Sequence, residues 1–409
     1  MSKLILTVCH LFFLILSVYG IYFGAISLCC LLKQKTLPPT ERQLRFAVLA
    51  PARNEETCIA GLVESIRRQN YPPELVDIYV IPNNCTDRTA DAALQAGAQI
   101  ISVPPTVRSK GAALHEAFAY LLSTESHDAF CVFDADNEAD PNFLAEMNRA
   151  LASARSAKSR IFAKNPRQSW VCACYETFFC NANLFLNRAR SSIGLSARVI
   201  GTGFAVRRDL MEELGGWNTE TLTEDAEFYA QLAARGEKTA FVPGAVTYDE
   251  EPLSFRESLI QRRRWMSGIM EVCRKKANSL LQSIPGKGRL PAADALIQLT
   301  FSRLQAWIIP CFLLQVCADP SALSDLSSIA LRYYITTLLI GGASLLAERR
   351  LTWHASFSLL LYPLFIFSFV LLQTFSLLRP NRSWTPIPHT GIRKEASEPS
   401  RAARMDRTE

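Results

Sequence analysis

The 409-residue chain carries 12 cysteines but no Cys-x-x-Cys pair. Cys172-x-Cys174 and Cys180 come nearest, and they lack the second ligand pair that a structural zinc requires. All twelve therefore read as reduced, mostly buried thiols in a cytoplasmic or membrane setting. Also missing is any long basic run with interleaved aromatics, and the net charge is only +6, which argues against a nucleic-acid partner. No Gly-x-Gly-x-x-Gly follows the first apolar strand pattern, so the dinucleotide-binding fingerprint is absent and phosphate must be bound some other way. Neither an internal repeat nor a low-complexity stretch is visible.

Charge is absent altogether from Leu4 to Leu32, which hold one His in an otherwise almost wholly apolar run followed by Lys33 and Lys35. That run is long enough to cross a bilayer and too long for a signal-peptide core. The lysines favour a retained anchor over a cleaved signal, with residue 33 onward cytoplasmic. Three further apolar stretches, Ala292–Cys317, Ile329–Ala347 and Trp353–Leu378, lie near the other end. The expected organisation is an N-terminal transmembrane anchor (1–36), a cytoplasmic domain (37–253), an amphipathic interfacial helix with a basic linker (254–290), a C-terminal membrane region (291–378) and a polar tail (379–409). The protein is expected to be a multi-pass protein of the cell membrane. An apolar share of 49% and a mean hydropathy of +0.09 suit such a mixture.

Between the membrane stretches the period changes. Phe46–Ala50, Val76–Ile81, Ile100–Val103 and Ala129–Phe133 read as strands. Helical patterns separate them, the first burying Ile59, Leu62, Val63 and Ile66 on one face. Alternation of this kind implies a parallel, doubly wound α/β sheet with right-handed crossovers. Phe204–Val206 reads as another short strand, and Phe241-Val242-Pro243 as an edge strand. Phe255–Cys273 reads as an amphipathic helix. The stretch from Lys164 to Ser196 shows no clean period.

The fourth strand ends in Asp134-Ala135-Asp136, at the end of a sheet where α/β proteins place ligands. Two carboxylates there attract a hard divalent cation, Mg2+ or Mn2+, shared with a substrate phosphate. The plainer reading is a strand followed by a helix start, with Asp140 as cap and Pro141 at the first helical position. Thr223-Glu224-Asp225 likewise has a plain reading, acidic residues complementing a helix dipole. Asp91, Glu116 and Asp128 read as solvated surface charges.

The order Pro51-Ala52-Arg53-Asn54-Glu55-Glu56, Asn84-Cys85-Thr86-Asp87-x-Thr89, Asp134-x-Asp136, Thr223-Glu224-Asp225 and Gln261-x-x-Arg264-Trp265 resembles membrane-embedded family-two glycosyltransferases. This is the branch of cellulose, chitin and hyaluronan synthases. The resemblance covers residues 45–270 and implies a GT-A type, Rossmann-like mixed sheet domain flanked by transmembrane and interfacial helices. It implies inverting transfer from a nucleotide-diphosphate sugar, usually a UDP-sugar, to a hydroxyl. By the same resemblance Asp225, with Glu224, carries base catalysis, and Asp136 with Asp134 holds the metal. Ala52, Glu55, Asn83, Asp87, Lys110 and Asp134 line the donor nucleotide, with Lys110 reaching the phosphates. Gln261, Arg264 and Trp265 serve the acceptor and the diphosphate. Asn83 departs from the pattern, which normally has an Asp there; a carboxamide still accepts from a uracil imide. Arg262 and Arg263 are expected to face lipid headgroups.

Two acceptors fit: a growing glycan of an exopolysaccharide or envelope, or a single lipid, as in ceramide glucosyltransferases. A third reading is a non-catalytic component of a polysaccharide export assembly. Gln298, Arg303, Gln305 and Gln315 interrupt the first C-terminal apolar stretch and suggest a polar path for a polymer. Four membrane stretches are few for a lipid-excluding pore, so a polymer-making chain needs a second copy or a partner subunit. With all four crossing, the basic tail falls outside, against the positive-inside tendency. Ala292–Cys317, with Asp294, Arg303 and Pro310, is the expected non-crossing stretch. The tail segment Ser383-Trp384-Thr385-Pro386-Ile387-Pro388-His389 resembles one that relatives hold beside the active site.

Overall fold

The computed structural model describes residues 2–34, 36–286, 289–381 and 389–392; Ser383–Pro388 of the tail lie outside them. The chain opens with α1 (Ser2–Leu28), and α2 (Ile59–Arg67) follows β1 (Phe46–Ala52). Next come β2 (Val76–Pro82), α3 (Thr89–Ala96), β3 (Gln99–Ile100), α4 (Lys110–Thr124) and β4 (Ala129–Val132). Strands β5 (Glu138–Ala139) and β6 (Ser156–Ala163) flank α5 (Phe143–Leu151). Helices α6 (Trp170–Asn181) and α7 (Ala189–Ser192) precede β7 (Phe204–Arg207), α8 (Arg208–Leu214), α9 (Glu224–Ala234) and β8 (Thr239–Asp249). The C-terminal helices are α10 (Phe255–Ser283), α11 (Arg289–Gln305), α12 (Ile308–Ala318), α13 (Leu326–Ala347), α14 (Trp353–Leu359) and α15 (Tyr362–Leu378).

The eight strands form one sheet in the order β3-β2-β1-β4-β7-β6-β8-β5. The first four are parallel, as the alternation of strands and helices requires. Then β7 runs antiparallel to both β4 and β6, so the sheet is mixed. Strand β1 is apolar on both faces because both are covered. Ala47 and Leu49 enter one core with Phe130 and Val132. Phe46, Val48 and Ala50 enter the other with Cys131 and Phe133. This two-residue alternation aims the polar residues that end β1 and β4 at one sheet edge.

Three expectations are corrected. Phe241-Val242-Pro243 is no edge strand: β8 lies between β6 and β5, and a register shift opposite Ser159/Arg160 absorbs its Pro243-Gly244. Arg262 does not face headgroups. It is fully buried, donating to Phe365 O at 3.0 Å and Ser368 Oγ at 2.7 Å, with its guanidinium 4.0 Å from the Phe365 ring centroid. Arg263 turns the same way, toward Arg379 O and the Phe375 ring. Nor do the glutamines of α11 line an open path. Gln298 bonds Asp294 and Tyr229, and Gln305 accepts from Gln373, as buried polar groups in a helix bundle must.

Among the described residues, Ser2–Leu31 and Pro320–Ala347 are long and apolar enough to cross a membrane, by length and composition. The α11–α12 pair is bent by 45° and the α14–α15 pair by 51°. Helix α1 lies beside α11 and α12 in opposite direction: Tyr22 donates to Asp294, Tyr19 bonds Thr300, and Cys9 donates to the Cys311 carbonyl. Asp294 also pairs with the buried Arg190 of α7 at 3.0 Å. Just past α13, Glu348 is held by Arg160 of β6 at 2.9 Å, so this end rests on the sheet domain. Helix α14 packs on α6, through Cys174 to the Ser358 carbonyl. Beyond α15, Asn381 N donates to Ser267 of α10. All twelve cysteines are free, eight of them buried.

Candidate active site

The polar ends of β1, β4 and β8 meet the loop before β7 and the start of α9. Asp134 is oriented through its backbone N–H, which donates to Thr202 Oγ1 (3.1 Å) and Asn137 Oδ1 (3.2 Å). The Thr202 hydroxyl in turn donates to Asn137 Oδ1. Lys110 is the hub of the cluster. Its Nζ lies 2.6 Å from Asp134 Oδ1, 2.6 Å from Gly201 O and 3.1 Å from Glu224 Oε1. Ser109 caps α4 and so sets Lys110 at its first position. A Cβ on the next residue, Gly111, would lie 2.6 Å from Thr219 Oγ1 and 3.2 Å from Glu224 Cβ, so its absence lets α4 close on α9. Burial alone would lower the Lys110 pKa, but Asp134 and Glu224 outweigh it and push it up. Burial raises Glu224, against the pull of Lys110. Lys110 therefore pairs with two carboxylates here.

Asp225 Oδ2 accepts from Gly201 N at 2.6 Å. A Cβ at Gly201 would sit 3.4 Å from Asp134 Oδ2 and 4.0 Å from Asp225 Oδ2. The glycine thus leaves a gap between the predicted metal and base carboxylates. Helix α9 is held by Phe228, one turn on from Asp225, which stacks on Trp217 at 4.3 Å. Asp225 and Glu224 are therefore more than dipole complements, since each has a partner from another segment.

Asp136 is 6% exposed, and Lys164 Nζ holds its carbonyl at 2.7 Å. Asn137 Nδ2 donates to Asp249 Oδ1 at 2.7 Å, bringing in a carboxylate that the sequence reading missed. Burial, then Asp136 and Asp134, push the Asp249 carboxyl well above the usual range. Crowded hard oxygen donors of this kind suit a divalent cation, which would relieve their repulsion. Asp134 and Asp136 are the carboxylates that the motif implies for the metal, with Asp249 close enough to be raised by both, although the three do not bring ligand atoms within 4.8 Å of one another. Glu55, Cys58 and His389 do place ligand atoms within 4.8 Å of one another. Burial pushes the Cys58 thiol up to about 12, so this trio is a poor thiolate site.

On the nucleotide side, Ala52 ends β1 and its carbonyl accepts from Asn83 N at 2.8 Å. The Asn83 amide donates to Ser109 O at 3.3 Å and accepts from Asn84 at 2.8 Å. Asp87 braces the two loops: Oδ1 accepts from Thr89 N and Oγ1, and Oδ2 from Glu56 N. Burial works against ionisation there, but these bonds hold the carboxyl below its usual value. Glu55 faces His389 at 2.9 Å. Burial would lower the His389 pKa, yet Asp136 and Glu55 push it up to about 10.

In α10, Gln261 Oε1 accepts from Tyr175 OH at 2.7 Å, and Trp265 meets the same ring edge-to-face at 6.2 Å. Arg264 is half-buried between them in sequence. Trp265 shares its apolar cluster with Ile200, the neighbour of Gly201. Gly268 admits Thr223 against its backbone, where a Cβ would lie 2.5 Å from Thr223 Cγ2. The motif thus abuts both ends of the carboxylate cleft.

Residues 43–268 match the sequence profile of a family described as glycosyltransferase like family 2. The chain belongs to that family. Over 248 residues this glycosyltransferase family member is 30% identical to the probable glycosyltransferase YdaM of Bacillus subtilis, covering 56% of each chain. Over 368 residues it is 23% identical to the beta-monoglucosyldiacylglycerol synthase of a Nostoc species, covering 84% of this chain and 76% of the relative. The mannosyltransferase PcManGT of Pyrobaculum calidifontis, solved with GDP-Man and Mn2+, shares the fold. Its TM-score is 0.59 at 18% identity, covering 93% of this chain and all of that one. The sheet domain is of GT-A type, as the motifs imply.

The structure adds residues to this family member's site that sequence reasoning left out: Gly201, Thr202, Asn137, Lys164 and Asp249. Lys158, fully buried in β6, also belongs with them. Its Nζ donates to Thr202 O at 2.7 Å, and burial lowers it to about 7 against the pull of Asp249, Asp225 and Asp134. The run Asp249-Glu250-Glu251 after an apolar stretch was the available signal for Asp249.

Proposed function

We propose that this chain is a membrane-bound inverting glycosyltransferase. It moves one sugar from a nucleoside-diphosphate sugar, a UDP-sugar first among them, to a lipid hydroxyl at the bilayer surface. The observation that carries this reading is the gap at Gly201, with Asp134 on one side and Asp225 on the other. Asp225 takes the proton of the acceptor hydroxyl as it attacks the sugar. Direct displacement with a single base inverts the anomeric centre. Asp136 and Asp134 would hold the divalent cation, which would supply positive charge to offset that of the departing diphosphate. Lys110 pairs with Asp134 and Glu224 and fixes their positions, so the cleft is organised before substrate arrives. Trp265 offers an apolar face to the acceptor beside the cleft.

The lipid acceptor is favoured over a growing glycan by two points. Gln298 and Gln305 are engaged within helix packing. Similarity to a beta-monoglucosyldiacylglycerol synthase extends over 84% of this chain. The non-catalytic reading has no support from a cleft this complete.

We also infer three crossings. Helix α1 and the α11–α12 pair lie side by side along their lengths, and α13 returns to end at Arg160. The α14–α15 pair starts on α6 and ends on α10, so it dips in and returns. The non-crossing stretch is then Trp353–Leu378 instead of Ala292–Cys317, and the tail lies on the sheet-domain side. That arrangement also keeps Glu348-Arg349-Arg350 inside.

The test incubates purified protein with UDP- and GDP-sugars, Mn2+ or Mg2+, and diacylglycerol, measuring nucleotide release and product size. A singly glycosylated lipid is expected with donor in excess. A ladder of longer products would replace the lipid reading with the polymer one, and no turnover with any donor would remove both.

A further inference from the structure

Strand β6 puts a lysine in the interior of the sheet, beneath the loop that leads into β7. Lys158 is wholly buried, and its ammonium is held by neutral oxygens. Nζ donates to Thr202 O at 2.7 Å and lies 3.4 Å from both Gly203 O and Ser159 Oγ. Carboxylates act on it from farther off. Burial, with Lys110 of α4, brings its pKa down to about 7 against the pull of Asp249, Asp225 and Asp134. A buried ammonium held in this way costs stability that a methionine of similar volume would not. Packing therefore does not account for a lysine here.

The loop above it touches every charged group of the cleft's centre. Gly201 N donates to Asp225 Oδ2, Gly201 O accepts from Lys110 Nζ, and Thr202 Oγ1 accepts from Asp134 N. The peptide unit between Thr202 and Gly203 is clamped at both ends. Its carbonyl sits on Lys158 of β6, and its N–H donates to Val132 O, the end of β4, at 2.9 Å. Gly203 follows at φ +61°, and a glycine leaves such a unit free to turn once one clamp is removed. We propose that Lys158 is a positioning residue of the active site. It holds the carbonyls of Thr202 and Gly203 and thereby keeps the Gly201 N–H on Asp225 and Thr202 Oγ1 on Asp134, touching neither carboxylate. The tasks of Asp225 and Asp134 rest on the glycosyltransferase reading; the clamping of the loop does not.

The test compares Lys158→Met with wild type, each as full-length protein in detergent. Hydrogen exchange over residues 200–204, read by mass spectrometry, should quicken about 10-fold or more, with exchange in β1 unchanged. The thermal midpoint should hold or rise, since methionine removes a buried charge. Nucleotide release from a UDP-sugar, with Mn2+ and diacylglycerol, should fall about 10–100-fold in kcat while KM for the donor changes little. Combined with Asp225→Asn, Lys158→Met should lose less than the product of the two single effects, because both act on the base. Losses that multiply in full overturn the proposal. Unchanged exchange over residues 200–204 also overturns it, whether or not the protein turns over. So does a wild-type kcat in Lys158→Met, and there the glycosyltransferase reading stands. Quickened exchange without nucleotide release by wild type from any donor does the reverse: the clamp is upheld and the reading is lost. If Lys158→Met does not fold, Lys158→Gln keeps an N–H donor without the charge and is judged by the same exchange measurement.

Discussion

At the scale of single residues, the cleft depends on charges whose partners come from distant segments. Asp225 is held by one backbone N–H, that of Gly201, and this contact survives replacement by an amide. Asp225→Asn should therefore bind donor and metal as before while transfer falls about 10²–10⁴-fold, the usual worth of a general base. Retained turnover with retained binding would return Glu224 and Asp225 to a structural role. Gly201 tests the space itself. In Gly201→Ala the methyl would touch Asp134 Oδ2 at 3.4 Å on a backbone whose φ of +20° strains any side chain. Transfer should drop about 10–100-fold through misplacement of the reacting groups. A thermal midpoint within a few degrees of wild type would show that the loss is one of geometry.

At the scale of elements, α9 brings the base into place and α10 keeps it there. The buried Glu227 of α9 accepts from Glu220 N and Thr221 N, both at 2.8 Å, and pairs with Lys276 of α10 at 2.8 Å. Burial would raise its pKa, but Lys276 and the two amides outweigh that and hold the carboxyl below its ordinary value. A depressed folded value means the stability it confers is present above the unfolded pKa of about 4.3 and is lost as pH falls through the folded one. Glu227→Gln should cost about 1–3 kcal/mol at pH 7. The difference in thermal midpoint between variant and wild type should shrink below pH 4. A gap of constant size from pH 7 to pH 3.5 would mean that the charge is not what stabilises the loop.

At the scale of the whole molecule, the buried pair of Arg190 and Asp294, joined by Tyr22, ties the N-terminal helix to the sheet domain. The proposed three crossings put Cys317, exposed at the end of α12, on the side away from that domain. They put Asn381, bonded to Ser267, on the same side as the domain. A membrane-impermeant maleimide applied to intact cells should label Cys317 and leave Asn381→Cys unlabelled until the membrane is opened. Labelling of Asn381→Cys in intact cells would show that α14–α15 crosses.

Much of this was legible in the sequence because it is written locally. The unbroken apolar runs Phe46–Ala50 and Ala129–Phe133 specify buried parallel strands, and Asp134, Asp136, Glu224 and Asp225 sit at the element ends where such strands and helices present polar groups. The apolar length of Leu4–Leu32 specifies a membrane helix without reference to anything else. What needed the tertiary structure is pairing across long separations, since no local pattern encodes a partner more than 100 residues away. Burial of Arg262 is decided by the Phe365 and Ser368 backbone and side chain that α15 brings to it. The inner place of β8 is decided by β6 (Ser156–Ala163), which no strand pattern in the sequence announced. Lys110 stands at the start of α4, and only the approach of Asp134 and Glu224 shows which carboxylates it pairs with. His389, 253 positions after Asp136 in the numbering, joins the cluster through folding alone.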